Sequence, residues 1–188
     1  LSMEEQFEFR HLYQETGAYF DRTGVGTVKA WFNGTRRWGD FLPRGRSTWA
    51  IFTDDADVGT AERKYIADTI ARPYPQAVAG DIMSFAFDHA RRVLSVDVTT
   101  DNSKGASRIF IGANRHYPDG FSVLCGDDVI LAHNPVRADP LTVIQSPADI
   151  QIGDFIWDET SQQLTILRWP QDEASLTLKI VPGVVSID

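Results

Sequence analysis

The 26 carboxylates and four histidines of this 188-residue chain are the groups able to move protons, and their spacing decides what they can do. Two carboxyl groups held about 5 to 10 Å apart can protonate a leaving oxygen and attack or activate a water. No two acids here form a convincing pair. Glu4, Glu5, Glu8 and Glu15 fall on an amphipathic helical pattern, Asp81 and Asp88 bracket a strand pattern, and Glu159 and Glu173 fall in turns. His11, His89, His116 and His133 are scattered, without the paired spacing of a zinc site, and are expected as surface or singly bonded side chains. Cys125, beside Leu124 in β-type text, is expected as a buried small hydrophobe. The run Asp54-Asp55-Ala56-Asp57-Val58-Gly59 faintly resembles a calcium loop but lacks the alternating ligands and the terminal Glu, so it reads as a solvated loop before a helix. A glycine-rich phosphate loop and a GxSxG elbow are both missing. The chain alone is expected to be catalytically silent, with no catalytic residue, no metal and no cofactor.

The elements that would position such groups are of two kinds, divided by Arg72-Pro73-Tyr74-Pro75-Gln76-Ala77-Val78-Ala79-Gly80. Two prolines fix φ near −65° and remove two backbone donors, so this segment should be an extended, stiff connector that neither continues a helix nor joins the middle of a sheet. Before it, residues 3 to about 21 carry Phe7, Leu12, Tyr13, Ala18 and Phe20 in a broken helical spacing. A short strand at 27–32 runs to Asn33-Gly34, a turn dipeptide; 35–57 is aromatic, basic and loop-like; a helix is expected from about 60 to 71, with Thr60 capping it and Glu62 in its first turn. After Gly80 the period changes to two. Candidate strands lie at 82–87, 93–98, 108–111, 121–124, 129–132, 141–144, 150–157, 164–168 and 176–181, with a hairpin at Asp88-His89-Ala90-Arg91-Arg92. Such a series of short strands separated by turns points to an antiparallel β-sandwich. The fold class is thus mainly β, with an α/β N-terminal segment.

Composition narrows the partners. A formal net charge of −8 and a pI near 4.9 argue against nucleic acid and against polybasic attachment to anionic membranes. No apolar run approaches the roughly 20 residues of a membrane span, and the first residues lack the basic and apolar regions of a signal peptide. With one cysteine there is no internal disulfide, which favours a reducing, cytoplasmic compartment, with membrane surfaces and secretion left open. Asn33-Gly34-Thr35 is a glycosylation sequon of the kind that arises by chance.

The segment 72–80 resembles the junction between barrel and tail in family 5 glycoside hydrolases of the endoglycoceramidase, fungal glucosylceramidase and steryl-β-glucosidase type. In those enzymes the last barrel helix runs into an arginine-proline-tyrosine-proline element, a small-residue stretch ending in glycine, and then a β-sandwich. Arg108-Ile109-Phe110-Ile111 followed by His116-Tyr117-Pro118-Asp119-Gly120 likewise resembles the family's strand and tyrosine-proline turn. The resemblance implies that residues 1–72 are the C-terminal remnant of a (β/α)8 catalytic barrel and that 73–188 are the C-terminal sandwich. It also implies a retaining glycosidase acting on a glycolipid, a glucosylceramide or a steryl β-glucoside, and a partner in the N-terminal barrel portion of the same gene product. The family's two catalytic glutamates lie on earlier barrel strands and have no counterparts here.

For residues 1–60 two readings stand. In one, 27–32 is the final barrel strand, Trp31 lies under the sugar, and Trp38 and Trp49 line the same cleft as substrate-binding residues. In the other, the region is an insertion and these tryptophans are ordinary core. Trp157 and Trp169 are expected in the sandwich core. The rival to the enzyme reading is a non-catalytic module, either structural or binding carbohydrate through exposed aromatics such as these two.

Overall fold

The computed structural model describes residues 3–24, 33–34, 51–55, 59–133 and 154–184. The chain forms two compact units, Leu1–Ala71 and Arg72–Asp188.

In the first unit, helix α1 (Met3–Thr23) opens with Glu4 and Glu5 and closes with Arg22, charges that complement the helix dipole at each end. Its apolar residues do not gather into one stripe. Asp21 is the one buried residue on it, whereas Met3, Phe7, Leu12 and Tyr19 are exposed. Strand β1 (Asn33–Gly34) pairs in parallel with β2 (Phe52–Asp55), which pairs antiparallel with β3 (Gly59–Glu62). Helix α2 (Lys64–Ile70) follows and buries Ile66, Ala67 and Thr69.

Three expectations are corrected here. Asn33-Gly34 is a strand rather than a turn. Asp54 and Asp55 belong to β2, and Gly59 begins β3, so the described ends of the acidic run pair as strands and do not lead directly into a helix. The helix begins at Lys64 because 59–62 is taken up by ladder pairing: Thr60 lies in β3, and the N-cap is Arg63, with no side-chain cap. The strand expected at 27–32 lies outside the described residues.

The second unit is a sandwich of two antiparallel sheets. Its strands are β4 (Tyr74–Ala77), β5 (Gly80–Asp88), β6 (Val93–Thr100), β7 (Ser107–Phe110), β8 (Phe121–Cys125), β9 (Asp128–His133), β10 (Phe155–Asp158), β11 (Gln163–Ile166) and β12 (Ser175–Pro182). The four-stranded sheet has the order β10-β11-β7-β4, and the five-stranded sheet the order β5-β6-β12-β8-β9. A one-turn helix, α3 (Ala113–His116), lies between β7 and β8, and a 3-10 turn covers Asn102–Lys104. The strand expected at 141–144 lies outside the described residues.

Period-two alternation builds the core. Leu94, Val96 and Val98 of β6 pair with Ile180, Leu178 and Leu176 of β12, so one face of both central strands is apolar. The opposing sheet contributes Ile109, Leu164 and Trp157 in one row, and Phe155 and Ile166 beside it. These residues form one buried cluster with Tyr117, Phe121, Val123, Leu131 and Trp169. Each fully buried aliphatic or aromatic side chain contributes about 1.5–3 kcal/mol relative to exposure. At the edge strand β5, the register shifts between Ile82 and Ser84, and Met83 bulges outward, which breaks an otherwise pairable edge.

Candidate functional site

The junction is fastened to the sandwich by its own sequence. Pro73 is buried, and Tyr74–Ala77 pair with β7 as an edge strand, where a proline without an N–H is tolerated. Tyr74 packs on Phe110, its register partner, with ring centroids 5.6 Å apart. Further on, the Ala79 N–H donates to Ser107 Oγ at 2.8 Å, and the Asp101 N–H donates to the Ala79 carbonyl at 3.1 Å. Gly80 has φ +133°, and a Cβ there would lie 1.9 Å from the Thr99 carbonyl oxygen. Only glycine fits that place. What reads in sequence as an extended connector is therefore the first strand of the second unit.

The described carboxylates are arranged for structure. Asp97, on the outer face of β6, accepts from Ser84 Oγ at 2.6 Å and from Thr177 Oγ1 at 2.7 Å, tying three neighbouring strands. Those two hydroxyls hold its carboxyl below the usual range. Asp88 and Asp158 each accept from the backbone N–H groups two and three residues on, and Asp101 from the N–H and hydroxyl of Ser103. Each is thereby held low as well, led by the Arg91 N–H for Asp88, the Ser103 hydroxyl for Asp101 and the Ser161 hydroxyl for Asp158. A glycosidic general acid needs its pKa raised. Every resolved displacement among these carboxylates goes the other way. Among the described residues no group of three or more His, Cys, Asp or Glu side chains is placed to hold a metal.

His11 is exposed, while the other three histidines pack against neighbouring side chains. His116 is buried, its ring 5.0 Å from that of Phe87, and His89 packs on the same Phe87 at 4.8 Å. His133 is half-buried beside Glu159. That pair was not singled out in the sequence, although His133 falls two residues after the inward Leu131 on β9 and Glu159 two after Trp157, in the turn that follows β10. Cys125 is buried, and burial pushes its thiol up.

Trp157 and Trp169 are both in the core, 1% and 2% exposed, so neither offers a face to a sugar. Asn102 fixes Trp169 through two bonds, accepting from its N–H at 2.8 Å and donating to its carbonyl at 3.2 Å. Trp31, Trp38 and Trp49, the candidate substrate-binding residues, lie outside the described residues. No described helix is long and apolar enough to cross a membrane.

The second unit is thus an antiparallel sandwich entered through a proline-bearing edge strand, in which Asp88, Asp97, Asp101 and Asp158 are held below the usual carboxylate range. The glycoside hydrolase family 5 C-terminal domain model matches residues 72–180, more than half of the chain, and the chain belongs to that family. A 58-residue stretch is 41% identical to an endoglycoceramidase of Hydra vulgaris, covering 30% of this chain and 11% of that protein. Similar solved structures include endo-glycoceramidase II from Rhodococcus sp., in a ganglioside GM3 complex, with 19% identity, TM-score 0.47 and coverage of 73% of this chain and 23% of that one. Sterylglucosidase 1 of Cryptococcus neoformans matches with 13% identity and TM-score 0.40, over 87% of this chain and 17% of that one. The chain thus spans a small part of the length of each relative.

Proposed function

We propose that this chain is the C-terminal portion of a retaining β-glycosidase that hydrolyses a glycolipid, a glucosylceramide or a steryl β-glucoside. The observation that carries the reading is the family match, which begins at Arg72, where the second unit begins, and runs to β12. In this reading residues 1–72 are the end of a (β/α)8 barrel whose earlier strands supply the acid/base and nucleophile carboxylates about 5–5.5 Å apart. The exposed Met3, Phe7, Leu12 and Tyr19 on α1 support it, because a barrel helix buries apolar residues against neighbouring elements. Trp31, with Trp38 and Trp49, would then lie under the sugar, an aromatic face suiting the axial C–H surface of a glucoside. The enzyme would work at a membrane surface, where such lipids reside.

The carbohydrate-binding alternative loses the residues that motivated it, since Trp157 and Trp169 are core. The test is hydrolysis of a fluorescent glucosylceramide and of a steryl β-glucoside by the gene product containing the preceding segment, compared with this chain alone. Activity confined to the longer species supports the proposal. Inactivity of the longer species on both lipids refutes it.

A further inference from the structure

The outer face of the four-stranded sheet carries a row of side chains that is aromatic and amide-bearing but uncharged. Ile109 of β7 belongs to the core, so Phe110 beside it faces outward, and its register partners are Tyr74 on β4 and Gln163 on β11. The Tyr74 ring, 39% exposed, leans on the half-buried Phe110 ring at an interplanar angle of 44°. Gln76 occupies the irregularity between Pro75 and Ala77, where a bulge re-aims a side chain. It reaches over β7: the Gln163 Nε2 amide donates to Gln76 Oε1, and Gln76 Nε2 donates to the Tyr74 hydroxyl at 3.5 Å. Among the described residues this chain of polar groups has an open end of each kind, the Tyr74 O–H to donate and the Gln163 carbonyl to accept.

We propose that Tyr74, Gln76, Phe110 and Gln163 form a saccharide-binding platform for a neutral glycan, with a pyranose ring lying on the Tyr74 face and its hydroxyls on the amides. A sugar hydroxyl both donates and accepts, so it suits either end of the amide chain, while the C–H surface of the ring suits an aromatic face. The row crosses three strands spaced about 4.8 Å apart, so it is about 10 Å long, room for more than one sugar ring. Charge favours a neutral ligand. The chain carries a net −8, yet the row from Tyr74 to Gln163 holds no charged group. Asp158, opposite Gln163 on β10, spends both carboxylate oxygens on Thr160 and Ser161 of its own turn. Arg108 is the cation of the next row, opposite Thr165 and Ala77. The role is binding, and it stands whether or not the gene product hydrolyses a glycolipid.

Affinity electrophoresis tests the platform, with the gene product containing the preceding segment run in native gels with and without a soluble mixed-linkage β-glucan. The glucan should retard it relative to a non-binding reference protein. Tyr74→Ala should weaken the apparent affinity about tenfold through the lost stacking surface, and Gln76→Ala, at an exposed side chain, about threefold through the lost hydrogen-bond bridge. Arg108→Gln should leave the retardation unchanged. Near-UV circular dichroism reports folding, and Gln76→Ala decides the matter where Tyr74→Ala is misfolded. No retardation of the gene product, or retardation undiminished by the folded Tyr74 and Gln76 variants, would overturn the proposal. Retardation of this chain alone but not of the longer species would mean that the preceding segment covers the row, and would overturn it too.

Discussion

Arg92 and Gln162 occupy the same place in two matching hairpin turns, one in each sheet, and reach opposite ends of the same one-turn helix. Both turns begin with an aspartate, Asp88 or Asp158, that accepts from two backbone N–H groups, and both end on a residue at φ 56°. Gln162 Oε1 accepts from the Asn114 N–H at 2.9 Å, near the start of α3 (Ala113–His116), while an Arg92 guanidinium N–H donates to the His116 carbonyl at 3.4 Å, at its end. A helix end needs an acceptor at its N-terminus and a donor at its C-terminus, and each side chain supplies the right one. This accounts for two long side chains at positions where glycine would relieve left-handed strain of about 1–2 kcal/mol.

The two positions should respond differently to glycine. Gln162→Gly loses two side-chain bonds, to Asn114 and to the Glu159 carbonyl, each contributing about 1 kcal/mol, so it should destabilise by about 1 kcal/mol after the relief of strain. Arg92→Gly loses one long, part-buried bond and should be within about 0.5 kcal/mol of neutral or slightly stabilising. Urea denaturation midpoints check both, and a larger loss at Arg92 than at Gln162 would contradict the clasp.

Gly80→Ala should destabilise the sandwich by about 3 kcal/mol or more, because the new methyl would meet the Thr99 carbonyl backbone and the φ of +133° is closed to L side chains. Thermal unfolding followed by near-UV circular dichroism reads this. A variant as stable as the parent would mean that the junction does not pack on β6 as described.

Asp97→Asn should cost about 1 kcal/mol at pH 7, discounted for the site's access to solvent, since the carboxylate accepts from both Ser84 and Thr177. The folded pKa is lowered, so this contribution is present above the unfolded value of about 3.9 and fades as pH falls through the folded one. Stability curves of parent and variant should converge below about pH 4. Parallel curves down to the acid limit would contradict it.

In the active species, Trp31→Ala should raise KM for the glycolipid by about tenfold, the value of a lost aromatic stacking contact, with a smaller effect on kcat. Steady-state kinetics on a short-chain fluorescent glucosylceramide would show it. Unchanged kinetics would assign Trp31 to ordinary core.

The sandwich was legible because its strand text alternates and is cut by turn residues: β5, β6, β8, β9, β11 and β12 lie where that pattern placed them, burial alternates along β6 and β11, and Trp157 and Trp169 are buried as expected. Strand β4 was hidden by Pro73 and Pro75, which read as a connector and are compatible with pairing along one edge only. The antiparallel pair of β2 and β3 was hidden by acidic text of low strand propensity around Gly59, and its pairing displaced the start of α2 to Lys64. Helix α3 is too short for a helical period to show, and it depends on Gln162 and Arg92, which are distant in sequence. The inward turn of His133 towards Glu159 needed the register of two separate sheets.

The most direct test of the central claim is hydrolysis of a fluorescent glucosylceramide, with steryl β-glucoside in parallel, by the purified gene product and by this chain expressed alone. The account predicts turnover by the former, retention of configuration in the released sugar, and no turnover by the latter. Hydrolysis by the isolated chain, or a folded full-length product inert towards both lipids, would contradict it.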